Sequence, residues 1–388
     1  MSVIARTRGL MGVVLVVLVG VLVGCGEDES SSPAAAAGGG GGSGVSAEVR
    51  ESVERGFAGT DEELPDAGPD PVKGLKVWIV ACTLEGEGCA RPAQAAAEAA
   101  RELGWEATVA DGKLDPNEQA NQIRNGISAG ADVIVPLSIA CDTVPGAFQA
   151  ARDAGVKLYG LYSRDCEKPL LDAKIDYGDG VDDLAVKVVG PEMAKYVIVK
   201  TGGKGEIIHL SFDDGGGGRD LGQSFVKTFA AECPGCVVHD TPITGQDIAQ
   251  DKLQALTSAA LVKYPKADVV MAPFDGIILL GVGAAVQQVT AQGRDILLTG
   301  LEGLEPNLKM IAAGGPQDVA AGSPGGWHGW ATIDGINRLF AGEKQVDPGI
   351  GYQLIDKEHP PASVPYEGNE RSLGWKDNYR RIWGLTTK

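Results

Sequence analysis

The chain has 388 residues, 44% of them hydrophobic and 22% charged, with a formal net charge of −18. This length suits two domains with appendages, and the composition provides apolar material for two cores. The acidic balance argues against nucleic acid and anionic lipid surfaces as partners, because both are polyanions.

Residues 1–24 read as an export signal. Arg6 and Arg8 form a positive region, and Met11 to Val23 is an apolar run too short to span a membrane comfortably. The run ends Leu22-Val23-Gly24-Cys25, which resembles a bacterial lipobox. In signals of that kind the cysteine is lipidated and becomes the first residue, and the lipid anchors without spanning. The alternative is a plain secretory signal in which Cys25 is incidental. Loss of residues 1–24 removes two arginines and no acids, which leaves −20. Residues 25–72 read as a flexible tether, because Ser30 to Gly44 is low-complexity Ser/Ala/Gly sequence without an apolar period. Within it, Val45 to Gly56 has the pattern of a short amphipathic helix, and Asp61 to Pro71 is Pro- and acid-rich. The folded body is expected from Lys73.

Strand and helix patterns then alternate. Leu75–Val80 is a strand. Pro92–Leu103 is an Ala-rich helix that starts on Pro and stops at Gly104. Trp105–Ala110 is a strand, and Asp115-Pro116 opens a helix in which Ala120, Ile123 and Ile127 share a face. Asp132–Pro136 has the short apolar, β-branched pattern of a fully buried strand. Val144, Ala147, Phe148 and Ala151 recur at i, i+3, i+4 and i+7, one face of a helix. Gly155 ends that helix, Val156–Leu161 is the next strand, and Ala173–Asp176 the last of the first lobe. The same grammar restarts after Gly180. Helices are expected over 184–199, 220–231, 247–263, 276–291, 306–313 and 327–340, and strands over 206–210, 267–272, 295–299 and 318–321 and around Val237-Val238. Such alternation predicts α/β lobes with doubly wound parallel sheets. Ligands of such sheets bind beyond the carboxyl ends of the strands, where Leu137-Ser138 and Ser163-Arg164 stand.

The words Gly130-Ala-Asp-Val-Ile, Ala150-Ala-Arg-Asp-Ala-Gly-Val156 and the strand running to Ser163-Arg164 resemble those of the type I periplasmic binding proteins, the ribose-binding-like family. The resemblance covers about Lys73 to Tyr352. It implies two doubly wound parallel-sheet lobes joined by a three-segment hinge, with crossings near Tyr177–Gly180, Gly322–Pro324 and Ile350–Tyr352. The first lobe would hold 73–177 plus 324–350, and the second 178–323 plus 351–388. Tyr366, Trp375, Tyr379 and Trp383, in the tail, are expected to pack on the second lobe.

Six cysteines remain besides Cys25, an even number in an exported chain, which reads as disulfides. Six cysteines allow fifteen connectivities; the predicted topology favours Cys82 with Cys89, Cys141 with Cys166, and Cys233 with Cys236. Zinc is the competing reading of Cys233-Pro-Gly-Cys236, but it needs a second ligand pair that His239 alone does not supply. A redox motif would sit at a helix N-terminus, whereas this pair follows a helix.

Signatures of catalysis are weak. Asp213-Asp-Gly-Gly-Gly-Gly-Arg219 lies between a strand and a helix, where phosphate loops sit, but it lacks the Lys-Ser/Thr of a nucleotide loop. Its two leading carboxylates would repel phosphate, so it reads as a permissive turn bordering a cleft. His209, His239, His328 and His359 fall in separate elements, with no Ser-His-Asp or two-His metal spacing. Only His328, beside Trp327 near a crossing, is positioned to line a cleft. No cofactor and no metal is expected.

The resemblance implies site residues position by position. Thr83 and Glu85 stand in the loop after the first strand, where the family carries a polar sugar contact. The family's Asp-Arg clamp after the fourth strand reads Ser163-Arg164. Arg219 approximates an arginine entering the helix after the second lobe's first strand, with Asp213 before it. The family's Asn-Asp reads Phe274-Asp275, where Asp275 alternatively caps the Gly276 helix. The Asp of its Gly-Phe-Asp reads Glu302, and its hinge Gln reads Ser323. Phe274 and Trp327 suit an aromatic ligand. The implied function is a monomeric, membrane-anchored solute-binding lipoprotein of an ABC-type importer, facing the extracytoplasmic side. It would take a small polar molecule, a sugar in the first place, and pass it to a permease. A module reporting an aromatic or amino-acid-like ligand to a sensory receptor is the second class. A secreted enzyme is the third.

Overall fold

The structure, a computed structural model, describes residues 44–178, 181–212 and 218–385. The export-signal and lipobox readings, Cys25, the Gly-rich part of the tether and Asp213 lie outside the described residues. No described helix is long and apolar enough to cross a membrane.

The first element is α1 (Ala47–Ala58), whose N-cap Ser46 accepts from Val49 N–H. Next come β1 (Lys76–Ala81), α2 (Glu87–Glu102), β2 (Glu106–Asp111), α3 (Pro116–Ser128), β3 (Val133–Leu137), α4 (Pro145–Asp153), β4 (Lys157–Gly160) and β5 (Ala173–Lys174). The strands form a sheet of order β2-β1-β3-β4-β5, parallel throughout. The strand period of two divides β1 between its faces. Val77, Ile79 and Ala81 join the core that contains the Ala side of α2, while Val80 meets Ile123 of α3 and Phe148 of α4. Every residue of β3 is buried, as its unbroken apolar run requires.

The second half contains α5 (Gly190–Lys200), β6 (Glu206–Phe212), α6 (Gly218–Glu232), β7 (Val237–Ile243), α7 (Gly245–Ala249), α8 (Leu253–Lys263), β8 (Val269–Met271), α9 (Gly283–Thr290), β9 (Leu297–Glu302), α10 (Glu305–Ala312) and β10 (Val319–Gly322). They are followed by α11 (Gly325–Ala341), β11 (Gln353–Asp356) and α12 (Trp375–Ile382). The second sheet has the order β11-β10-β9-β8-β6-β7. Its pairings are parallel except that β11 runs antiparallel to β10, an edge strand that the alternating pattern does not announce. The single helix expected over 247–263 is two, because Asp251 takes φ 53° between α7 and α8.

After β10 the chain returns to the first sheet. There α11 lies on α2 at very short range: a Cβ on Gly329 would stand 2.6 Å from the Pro92 carbonyl oxygen and 2.7 Å from Ala96 N. Ala93, Ala96, Ala97 and Ala100 are buried on α2, so small residues on both helices permit the approach.

Two parts of the expected plan differ. First, the folded body begins with α1, not near Lys73. Ser52 donates to Glu192 of α5 (2.7 Å), and Gln353 of β11 donates to the Phe57 carbonyl (3.1 Å). From α1 the chain runs as an extended strap to β1. Thr60 N–H donates to Tyr352 O (2.9 Å) and Glu62 N–H to Gly349 O (2.8 Å). Asn337 of α11 accepts from Val72 N–H and donates to Pro69 O. Second, the tail aromatics divide. Tyr366 packs with Leu308, Ile311, Ala320 and Ile355 of the second lobe. Trp375, Tyr379 and Trp383 instead pack on Trp330 of α11, with Trp383 stacked at 5.4 Å. Trp383 Nε1 donates to Asp334 (2.8 Å), which also accepts from Arg338 Nε (2.7 Å), and Arg338 donates on to Ala67 O of the strap (2.6 Å). An amphipathic pattern shows that a helix has a buried face but not which neighbour covers it.

Asp61 joins strap, crossing and tail. It accepts from Gly351 N–H (3.0 Å), Asn369 N–H (2.7 Å) and Ser372 Oγ (2.6 Å), and it is 6% exposed. Asp61→Ala would leave two buried amides, Gly351 N–H and Asn369 N–H, without an acceptor at about 1–3 kcal/mol each, while the Ser372 hydroxyl keeps the Asn369 carbonyl (3.1 Å). Urea unfolding should therefore show a loss of at least about 2 kcal/mol, whereas a change within a flexible tether would be silent.

Candidate functional site

The carboxyl ends of strands from both sheets surround a cleft of about 810 Å³. The first lobe supplies Thr83, Glu85 and Glu87 after β1, Ser138 after β3, and Tyr162 and Ser163 after β4. The second supplies Phe212 after β6, Phe274 after β8 and Glu302 at the end of β9, and Ser323 and His328 stand where the chain crosses back to α11. This is where an open parallel sheet offers backbone groups and loops to a ligand. Three disulfides are present: Cys82–Cys89, Cys141–Cys166 and Cys233–Cys236. The first closes the loop that carries Thr83, Glu85 and Glu87, and the second closes the segment from Cys141, in the short turn before α4, to the loop after β4. Both therefore restrain first-lobe loops at the cleft, while the third closes the turn between α6 and β7. Among the described residues, no group of three or more His, Cys, Asp and Glu is placed to hold a metal.

Four of the six described non-glycine residues with positive φ line this cleft: Leu114 (52°), Ser138 (54°), Tyr162 (54°) and Glu302 (95°). Backbone of that kind costs of order 1 kcal/mol per residue and persists where packing over-determines it. At these strand ends it turns side chains toward the space between the lobes.

Of the residues singled out from sequence, Thr83, Glu85, Ser138, Ser163, Arg219, Phe274, Glu302 and Ser323 line the cleft. The Ser163 hydroxyl is already used, donating to Pro136 O at 2.7 Å. Three others lie off the lining. Arg164 is held by Asp142 of its own lobe and by Asp220 of α6 (3.3 Å), so it bridges the lobes beside the cleft; the Asp142 hydrogen bond, above all, raises its pKa. Asp275 is fully buried beneath the wall, where it accepts from Gly303 N–H (2.8 Å), Leu304 N–H (3.1 Å) and Gln317 Nε2 (2.7 Å). Burial pushes its carboxyl up to about 7. Its bonds go to the loop that carries Glu302, which makes it a support for that residue. Trp327 is buried in the core beneath α11.

The sequence reading missed Glu87, Arg91, Tyr162, Tyr177 and Phe212, all of which line the cleft. Their only available signal was position within a few residues of a strand end. Arg91 meets Glu87 (3.6 Å) and also pairs with Glu367 of the tail. Tyr162 and Tyr177 flank His328 at 4.9 and 6.0 Å, and Phe212 meets Phe274 edge to face at 5.4 Å. Glu302 has access to cleft water but is surrounded by protein, and this desolvation, together with repulsion from Asp275, pushes its carboxyl up to about 8. His328 is buried, and desolvation pushes its imidazole down to about 4.

Two parallel α/β lobes with a cleft at their strand ends define a type I periplasmic-binding-protein fold. Residues 79–344 match the periplasmic binding protein domain, and the chain belongs to that family of solute-binding proteins. Among similar solved structures is a 5-methylthioribose transporter solute-binding protein from Thermotoga lettingae, in complex with 5-methylthioribose. It is 18% identical with a TM-score of 0.62, over 75% of this chain and 88% of that one. An ABC transporter solute-binding protein from Mycobacterium smegmatis with bound glycerol is 23% identical, with a TM-score of 0.60 over 74% and 95% of the two chains. An ABC sugar transporter subunit from Rhodobacter sphaeroides is 20% identical, with a TM-score of 0.62 over 74% and 98%. No curated protein sequence matches the chain.

The His328 shift fixes a pH dependence. Its imidazole falls from 6.5 unfolded to about 4 folded, so the unfolded chain binds the extra proton between those values. The histidine's contribution is intact above pH 6.5 and is lost as the pH falls through the folded value. Relative to His328→Gln, the wild type should lose about 3 kcal/mol between pH 6.5 and 4 in parallel denaturant titrations. Parallel curves for the two proteins would contradict this.

Proposed function

We propose that this protein captures a small polar ligand, a sugar in the first place, by closure of its two lobes, and delivers it to the permease of an ABC-type importer. The observation that carries this reading is the cleft built from strand ends of both sheets, with the chain crossing between them. The similar structures named above, one with 5-methylthioribose bound and one an ABC sugar transporter subunit, favour a sugar. Closure brings the two halves of the lining onto one ligand, so each contact favours the closed form. The ligand roles of Thr83, Glu85, Ser138, Arg219, Phe274, Glu302 and Ser323 belong to this proposal. A thermal-shift panel of sugars, amino acids and aromatic acids tests it: a binder at a hundred times its Kd adds about 2.7 kcal/mol. A panel without any stabilising compound would sink the reading.

Arg164 is assigned here to holding the lobes together, since its guanidinium already meets two carboxylates. A partly exposed ion pair is worth up to about 1 kcal/mol, so Arg164→Ala should raise Kd about two- to fivefold. A loss of a hundredfold in titration calorimetry would instead make Arg164 a direct ligand contact.

The anchoring proposal rests on Leu22 to Cys25, which implies a lipid on Cys25 at the extracytoplasmic face of the cell membrane. Cys25→Ser should move the protein from the membrane fraction to the soluble one; a variant that stays with the membrane contradicts the lipobox reading.

A further inference from the structure

The charges of the cleft do not balance. Each of its cationic side chains already meets a carboxylate: Arg91 with Glu87 and Glu367, Lys174 with Asp182 (3.2 Å), and Arg219 with Asp142 (3.9 Å). Glu302 has no ion pair with any described lysine, arginine or histidine. The titratable groups that face it are Asp275 from below, Glu87 from α2, and Tyr162. Glu305, on its own loop, pairs with Lys309. The carboxyl also reaches across the cleft to the other lobe. A Cβ on Gly88 of α2 would stand 2.1 Å from Glu302 Oε1, so it occupies space that only a glycine leaves open.

A second polar group of the cleft lining is an acceptor as well. His328 Nδ1 lies 3.1 Å from the Pro324 carbonyl oxygen, and a carbonyl can only accept, so Nδ1 carries the proton and Nε2 keeps its lone pair. Burial holds this imidazole neutral. Aromatic rings line the same cleft: Tyr162 packs against His328, and Phe212 and Phe274 meet edge to face. An enclosed carboxyl that faces other acids, takes backbone N–H groups of Asp275 and Gly276 and has no described ion-pair partner is complementary to a cation that also donates hydrogen bonds.

We propose that the ligand presents a protonated amine, received by the Glu302 carboxylate between the two lobes and flanked by the rings of Phe212, Phe274 and Tyr162. This rests on the solute-binding reading above and narrows its ligand to amine-bearing molecules, amino sugars among them. Binding such a cation converts Glu302 from its neutral to its ionised form, so below about pH 8 the complex forms with release of a proton to solvent.

The test uses matched pairs that differ by one group: D-glucosamine with D-glucose, D-galactosamine with D-galactose, and 2-phenylethylamine with 2-phenylethanol. Each is assayed at millimolar concentration by thermal shift and calorimetry. In at least one pair the amine should bind about tenfold or more tighter than its partner, and Glu302→Gln should abolish the difference. Calorimetry near pH 6.5 in buffers of different ionisation heat should show proton release on amine binding by the wild type, a readout that stands if the variant does not fold. Equal or tighter binding of the hydroxyl members, a preference that survives Glu302→Gln, or binding without proton release overturns the amine assignment and leaves a neutral polyol as ligand. A wild-type protein that responds to none of the six compounds, nor to the wider panel, overturns the solute-binding reading itself.

Discussion

The close approach of α11 to α2 sets the position of almost everything at the cleft. Gly329 lies against the Pro92 carbonyl and the Ala96 amide, and a single added methyl would collide with both. Contact at that range requires glycine on α11 opposite the alanines of α2, and it buries the Ala face of α2. The first turn of α2 carries Glu87, Gly88, Cys89 and Arg91, and the first turn of α11 carries His328. Seating one helix on the other therefore brings an acidic loop, a disulfide and a neutral imidazole to one rim. The Trp330–Trp383 stack and the buried Asp334–Arg338 pair hold the far side of α11 against the tail and strap.

The cleft itself is arranged around desolvated acids. Asp275 spends its carboxyl on the backbone that carries Glu302, and Glu302 is left facing the opposite lobe without a cation. Desolvation favours the neutral form of both, with added like-charge repulsion from Asp275 on Glu302 and from Glu87 on Asp275. The positive φ at Ser138, Tyr162 and Glu302 adds strain in the same place. Both costs are borne by rigid neighbours: two disulfides on the first-lobe loops and a fully bonded carboxylate beneath the second.

The lobes are connected by more chain than a three-segment hinge. The strap leads from α1, on the second lobe, to β1 of the first sheet, and the tail leads from Tyr366 on the second lobe to α12 on the first. Asp61 ties strap and tail to the crossing at Gly351. A Cβ on Gly351 would lie 2.4 Å from the Thr60 carbonyl carbon, so the strap rests directly on the crossing. Any movement of one lobe against the other would bend these segments together, since the strap that follows α1 is bonded to the crossing.

Sequence alone determined the local elements and their alternation. An unbroken apolar run marks β3, a period of 3.6 marks α4, Asp115-Pro116 marks the start of α3, and parallel order follows from helical crossovers between strands. Strand order then placed Thr83, Ser138 and Glu302 at carboxyl ends, because those ends follow from chain direction. The disulfide pairs were legible for the same reason, since Cys141 and Cys166 follow neighbouring strands. Sequence did not determine which surface each amphipathic element covers, because a helix face is complementary to many neighbours. The strap and α12 were therefore assigned to a tether and to the wrong lobe. It also did not determine what a polar side chain at a strand end touches. Arg164 meets carboxylates on two lobes, Asp275 turns inward to backbone amides, and Glu302 faces a glycine. These partners lie tens to hundreds of residues away in the chain, and only tertiary packing brings them within hydrogen-bond distance.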